Sequence, residues 1–356
     1  MVRRTVRPVL ALCAVSLSLA VAGCGSSAAP AATTAAGAQA AAGGSLAGQS
    51  LTVYSGQHQQ TVQVLVKDFE SRTGVKVQLR SGDEAELANQ ILQEGKASPA
   101  DVFYAENPPA LTNLEERGLL APVDTKTLQT VSANDSSAKS DWVGVSARTA
   151  AFVFNTDKMS ASSAPSSVRD LAGAAWKGKL GIAPSETDFA PIITRMIASD
   201  GQAAAKQWLE GLKANAKVYN SNEDLVAAVN RGEVAGGVID HYYWYRLRDE
   251  QGAGNIHSAL HYFTPGDPGA LVDVSGVAVL SASKHQSAAQ AWLAYLTSTP
   301  AQTIIATSQS YEYPLAAGVQ NTKVSQPLAQ VGTMASPGEL GDGKQALQLL
   351  QDAGLL

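Results

Sequence analysis

From Leu51 onward, short apolar runs take turns with longer segments whose apolar residues recur every three or four positions. Leu51-Thr52-Val53-Tyr54 reads as a strand ending at Ser55-Gly56. Val62, Leu65, Val66 and Phe69 then form one face of a helix that Gly74 stops. Val75-Lys76-Val77-Gln78-Leu79 alternates as a strand should, and residues 83–95 are helical, with Leu87, Ile91 and Leu92 on one side. Asp101-Val102-Phe103-Tyr104 is the next strand. Asn107-Pro108 follows as a cap and a proline at the first helical position, leading a helix to Gly118. Strands alternating with helices predict an α/β fold with a parallel sheet.

The pattern changes at Trp142-Val143-Gly144-Val145 and Ala150-Ala151-Phe152-Val153-Phe154-Asn155, two extended apolar runs with no helix between them. They read as the crossing into a second lobe. There the alternation resumes: strand 179–183, helices near 192–198 and 203–212, strand 217–219, helix 223–230, and the apolar run Val234-Ala235-Gly236-Gly237-Val238-Ile239. Val272-Asp273-Val274 and Val277-Ala278-Val279-Leu280 read as the return crossing, followed by an apolar helix over 288–296. The predicted limits are residues 49–147 plus 276–356 for lobe 1 and 148–275 for lobe 2. Two α/β lobes joined by crossing strands enclose a cleft, where small ligands sit and hinge closure occurs.

The first residues carry a different signal. Met1-Val2-Arg3-Arg4-Thr5-Val6-Arg7 is basic and precedes an apolar run too short to span a bilayer, so residues 1–23 read as a secretory signal. Val21-Ala22-Gly23-Cys24 resembles the lipobox of bacterial lipoproteins, which implies lipidation of Cys24 and a location outside the cytoplasm on the cell membrane. Residues 24–48 are nearly all small and uncharged, a flexible tether. Of the two cysteines, Cys13 lies in the signal, so the mature chain is expected to hold no internal disulfide. With 16% charged residues and a formal charge of -5, no nucleic-acid surface is expected.

The chemistry concentrates at strand ends. Asp240-His241-Tyr242-Tyr243-Trp244-Tyr245-Arg246 follows an apolar strand and opens a helix that closes at Gly252, so adjacent phenols sit at a strand-to-helix junction. The positive end of a helix dipole favours phenolate there, although an ordinary tyrosine ionises only near pH ~10. One reading is an aromatic packing cluster. The other is a pair of ligands for a hard, highly charged cation. His58, after the first strand, and Glu106, after the third, stand at equivalent ends in the first lobe. An imidazole, a carboxylate and two phenolates, with no thiolate, suit ferric iron better than zinc or copper. Glu106 could otherwise cap the following helix, but Asn107 already supplies a cap.

Tyr54-Ser55-Gly56-Gln57-His58, Pro99-Ala100-Asp101-Val102-Phe103-Tyr104-Ala105-Glu106 and His241-Tyr242-Tyr243-Trp244 together resemble the ferric-iron-binding solute-binding proteins of bacterial ABC importers. The resemblance runs from about Leu51 to at least Ala317. It implies a two-lobed periplasmic-binding-protein-like fold, Fe(III) as cargo, an importer permease as partner, a monomer, and the metal ligands His58, Glu106, Tyr242 and Tyr243. Some members of that family lack the histidine.

One departure stands out. Members that hold a synergistic anion do so with small polar residues in a turn matching Ala183-Pro184-Ser185-Glu186-Thr187-Asp188 and with an asparagine before the tyrosine pair. Here those regions carry Glu186 and Asp240, which would repel an anion. They are expected either to fill the remaining coordination space, with no synergistic anion needed, or to be solvated and cap helices. Arg195, Arg246 and Arg248 are candidate partners for them. Two other functions fit less well: a receptor for an organic cation such as a polyamine or thiamine, boxed by the tyrosines, and a metal-dependent hydrolase, for which no catalytic motif is found.

Overall fold

In the computed structural model, described over residues 46–356, the first alternation of the chain folds as its pattern predicts. β1 (Ser50–Ser55) pairs in parallel with β2 (Lys76–Ser81) and β3 (Val102–Ala105). The connecting helix Gln59–Thr73 buries Val62, Leu65 and Phe69, and it ends where Gly74 turns left-handed at φ 72°. Helix Glu84–Glu94 starts with the Asp83 carboxylate accepting from Glu86 N at 2.9 Å. The short β4 (Leu120–Ala121) completes this part.

The two apolar runs read as a crossing are one strand, β5 (Val143–Asn155), thirteen residues long and buried throughout. Its polar middle does not break it, because Ser146 and Thr149 find partners on the neighbouring strand. Ser146 Oγ lies 2.6 Å from Ser275 Oγ, and Thr149 Oγ1 donates to Leu271 O at 3.0 Å. After β5 come β6 (Leu180–Ile182), β7 (Ala216–Val218), β8 (Gly236–Asp240), β9 (Ser258–His261) and the return strand β10 (Leu271–Leu280). The strand order is β2-β1-β3-β10-β5-β8-β6-β7. The first part of β5 pairs antiparallel with β10, and from Ala150 it pairs with β8 and β9. β5 thus leaves one sheet and enters the other, the crossing-strand hinge of a two-lobed α/β fold.

Apolar layers cover both sheets. Leu65, Phe69, Trp292 and Leu296 are fully buried on the first, with Phe69 edge-on to Trp292 at 5.0 Å between centroids. On the second, Phe189, Met196 and Leu209 pack with Leu349 and Leu350. Those last two lie on helix Lys344–Ala353, within the span 276–356 that the sequence assigns to lobe 1. The helix instead packs on helices Phe189–Asp200 and Gln202–Asn215, and Lys213 Nζ donates to Ala353 O at 2.6 Å. Chain order set the expectation; the amphipathic face of the helix found its cover elsewhere. Residues 1–45, with the expected signal, Cys24 and most of the tether, lie outside the described residues. No helix among the described residues is long and apolar enough to cross a membrane.

Candidate metal centre

Four chain turns converge where the two sheets meet. His58 directly precedes helix Gln59–Thr73, and its backbone N–H is held by Gln57 Oε1 at 2.7 Å. Glu106 follows β3, in a turn fixed from below by the buried Glu84: Glu84 Oε2 accepts from the N–H groups of Glu106 at 2.8 Å and Asn107 at 2.9 Å. Gly56 makes this approach feasible, since a Cβ there would lie 2.3 Å from Glu84 Cβ. Asp188 closes the turn before helix Phe189–Asp200. Tyr242 and Tyr243 are the second and third residues of helix His241–Gln251, which follows β8 without a break and ends at Gly252 as predicted.

The side chains meet closely. Tyr242 Oη lies 3.2 Å from Glu106 Oε1 and 3.2 Å from Asp188 Oδ2, and Tyr243 Oη lies 3.3 Å from the same Asp188 oxygen. His58 Nε2 is 3.5 Å from Glu106 Oε1, and its ring stands edge-on to Tyr242 at 4.9 Å between centroids. A third carboxylate stands behind: ligand atoms of His58, Glu106 and Glu312 all lie within 4.8 Å of one another. Glu312 is itself held by Gln57 Nε2, at 3.1 and 3.2 Å, and by Ser146 Oγ at 2.9 Å.

Burial governs the protonation of these groups. It raises the Glu106 carboxyl well above the usual range, with the charges of Asp188, Glu84 and Glu312 adding to it and Arg148 opposing. It raises both phenols as well, joined by the charges of Asp188 and Glu106. The helix N-terminus, expected to favour phenolate, is therefore outweighed, and without a cation the phenols are neutral donors. Burial lowers His58 well below its ordinary value, helped by Arg246 and Arg148, so its imidazole is neutral and able to ligate. Glu84 is pushed up to about 7, chiefly by burial.

The donor set fits a hard trivalent cation. It brings two carboxylates, two phenols and one imidazole together, and phenolate and carboxylate oxygens prefer such ions. Two buried atoms facing the cluster, His58 Nε2 and Asp188 Oδ1, have no hydrogen-bond partner, which is uncommon for buried polar atoms unless an ion or water serves them. Beside the cluster lies a cavity of about 610 Å³ bordered by His58, Thr61, Tyr243 and Arg246.

All four residues singled out as ligands, His58, Glu106, Tyr242 and Tyr243, come together. The supporting details differ from expectation. Asn107 caps no helix with its side chain; Nδ2 donates to Glu84 Oε1 at 2.5 Å instead. Asp240 Oδ2 lies 3.6 Å from Arg148 Nε, the buried cation within its reach. Glu186 accepts from Asn222 N at 3.3 Å and is pushed up to about 7, first by burial and then by Asp188. Arg246 lies over the face of Tyr242 at 4.5 Å and donates from Nε to Gln309 O at 3.0 Å, and Arg248 pairs with Asp249. The carboxylate that does reach both phenols is Asp188, in the turn already marked by its acidic residues but two positions beyond Glu186. Nothing in the spacing marked Arg148 or Glu312, whose roles depend on strands far away in the chain.

The chain is similar to known proteins over most of its length. A family model described as bacterial extracellular solute-binding protein matches residues 64–333. The Fe(3+)-binding periplasmic protein of Serratia marcescens is 38% identical over 90% of this chain and 94% of its own, and the major ferric iron-binding protein of Neisseria meningitidis serogroup B is 37% identical over 86% and 93%. Among solved structures, iron-bound HitA from Pseudomonas aeruginosa superposes with a TM-score of 0.82 at 40% identity, over 86% of this chain and 99% of that one.

Proposed function

The chain belongs to the bacterial extracellular solute-binding proteins, and we propose that it captures ferric iron between its lobes and delivers it to an ABC-type importer. The observation that carries the proposal is the meeting of both phenol oxygens on Asp188 Oδ2, at 3.2 and 3.3 Å, with Glu106 and His58 on the facing turns. His58, Glu106, Asp188, Tyr242 and Tyr243 are the ligands. Relatives whose names state ferric iron binding support the choice of cargo.

The cation enters an open cleft and replaces the protons of the two phenols. His58 and Glu106 belong to one lobe, Asp188 and the tyrosines to the other, so only the closed state completes the set. The ion therefore binds that state more tightly and shifts the population toward it. Lobe 1 comprises residues 49–147 and the chain after 276 up to about the turn at 336; lobe 2 comprises 148–275 together with the C-terminal helix Lys344–Ala353. Cys24 tethers a monomer to the outer face of the cell membrane, beside the permease.

Asp188 takes the place an exogenous anion would fill, so binding needs no phosphate. The protein is a carrier and not an enzyme. An organic cation boxed by the tyrosines is disfavoured, because the Arg246 guanidinium already covers the face of Tyr242.

Visible absorption tests the assignment. Ferric nitrilotriacetate added to the apoprotein in phosphate-free buffer should produce a phenolate-to-iron charge-transfer band. A colourless protein that retains no iron after desalting would rule it out.

A further inference from the structure

We infer that Arg148 is a positioning residue that couples ligand-bearing junctions on the two sides of the cleft, so that without touching the metal it sets how long the closed cleft retains it; this rests on the iron assignment above. Arg148 lies on β5 where the strand passes from one sheet to the other. It stands opposite Asp273 of β10, and Ala150, two residues on, stands opposite Asp240 of β8. Its side chain is fully buried.

From that place the guanidinium reaches three separate elements. Nη2 donates to Asn107 Oδ1, in the turn that carries Glu106. Nε is 3.6 Å from Asp240 Oδ2, two residues before Tyr242, and Nη2 is 3.9 Å from Asp273 Oδ2. Asn107 extends the link across the cleft, with Nδ2 3.4 Å from Thr187 Oγ1, next to Asp188. One buried cation thus lies against side chains beside Glu106 and before Tyr242, and through Asn107 it is linked to the turn that carries Asp188.

The geometry is not that of an ion pair serving stability alone. Charge-assisted bonds close to about 2.7–2.9 Å, whereas both carboxylates here stand off. Arg148 Nε and Nη1 and Asp273 Oδ2 are buried without hydrogen-bond partners. A buried cation held short of its partners adds little stability for its desolvation cost. What it does is bond Asn107 on one side of the cleft while setting its charge 3.6 Å from Asp240 on the other.

Two effects of opposite sign can be separated. A fixed positive charge repels a ferric ion, so removing it would tighten binding. Loss of the planar fork would loosen the junctions and speed release. Arg148→Lys keeps the charge and loses the fork.

The test strips ferric iron from the full chain with excess EDTA and follows the charge-transfer band. Arg148→Lys and Asp240→Asn should each release iron roughly 10–100-fold faster than the unsubstituted protein, the range seen for outer-shell partners. The band maximum should stay in place, and the double variant should be no faster than the faster single variant. Release at the original rate from a folded Arg148→Lys protein overturns the inference, as do a shifted band, which places the damage on a ligand, or fully additive effects. If Arg148→Lys does not fold, Asp240→Asn and Asn107→Ala carry the same test, and unchanged release in both overturns it. Absence of the band from the unsubstituted protein would instead defeat the iron assignment.

Discussion

Tyr242 Oη and Glu106 Oε1 lie 3.2 Å apart although 136 residues separate them in the chain. One belongs to a helix that follows β8, the other to a turn that follows β3, and the cleft runs between. Any ion that binds both must hold the lobes together.

Removing a phenol should remove the colour without unfolding the protein. Tyr242→Phe and Tyr243→Phe each delete one oxygen from a buried ring whose packing is otherwise kept. Iron affinity should fall by at least the roughly 100-fold that marks the upper range for outer partners. Titration against a competing chelator measures this, with circular dichroism as the check on folding. Retained colour in both variants would exclude the phenols as ligands.

Asp188 should decide the need for an anion. The unsubstituted protein is expected to bind iron equally with and without phosphate, whereas Asp188→Ala opens a coordination position and removes a repelling charge. Its affinity should drop in phosphate-free buffer and recover in part when phosphate is added. Parallel titrations of both proteins in the two buffers check this.

Iron affinity should fall on acidification. Burial and neighbouring carboxylates raise the phenols above their ordinary range, so the free site holds protons that the ion must displace. Binding releases them, and lower pH favours the free protein. With about two phenolic protons released per ion, log affinity should rise by about two for each pH unit near neutrality. A chelator competition repeated across pH measures that slope.

Fold stability has its own acid limb, at His241. Its Nδ1 accepts from Thr149 N at 3.3 Å and its Nε2 faces Tyr311 O at 2.9 Å, an arrangement that requires the neutral ring. Burial lowers it to about 3 from 6.5. The unfolded chain thus takes up a proton below about pH 6.5 that the fold refuses until about 3, so this contribution is complete above that window and is lost as pH falls through it. Asp273, raised to about 6, Glu84 and Glu186, raised to about 7, and Glu106, raised likewise, act in the opposite sense, so the His241 contribution reads as a difference between two proteins. The urea midpoint of His241→Gln should gain on that of the unsubstituted protein as pH falls from 6 to 4.

The core beneath the first sheet should respond without touching the site. Leu65 is fully buried beside Phe69 and Trp292, so Leu65→Ala should cost about 2–5 kcal/mol of unfolding free energy. Urea denaturation gives the value, and iron affinity at low denaturant should be unchanged.

Much of this protein was legible in its residues. Periodicity located most of the longer strands and helices up to residue 296, because an apolar face that must be buried repeats with the geometry of its own element. The convergence of four strand-end side chains was legible for a similar reason: in an open α/β sheet the carboxyl ends of strands face one cleft, so His58, Glu106, Tyr242 and Tyr243 share a destination wherever they lie in sequence. Tertiary structure decided what depends on distance through space. It joined two apolar runs into one crossing strand by giving Ser146 and Thr149 partners on β10, and it packed the last helix on helices Phe189–Asp200 and Gln202–Asn215. It brought Asp188 onto the phenols while turning Asp240 toward Arg148. A carboxylate looks alike at either position in a sequence; only the folded chain fixes which one meets a cation and which meets a proton donor.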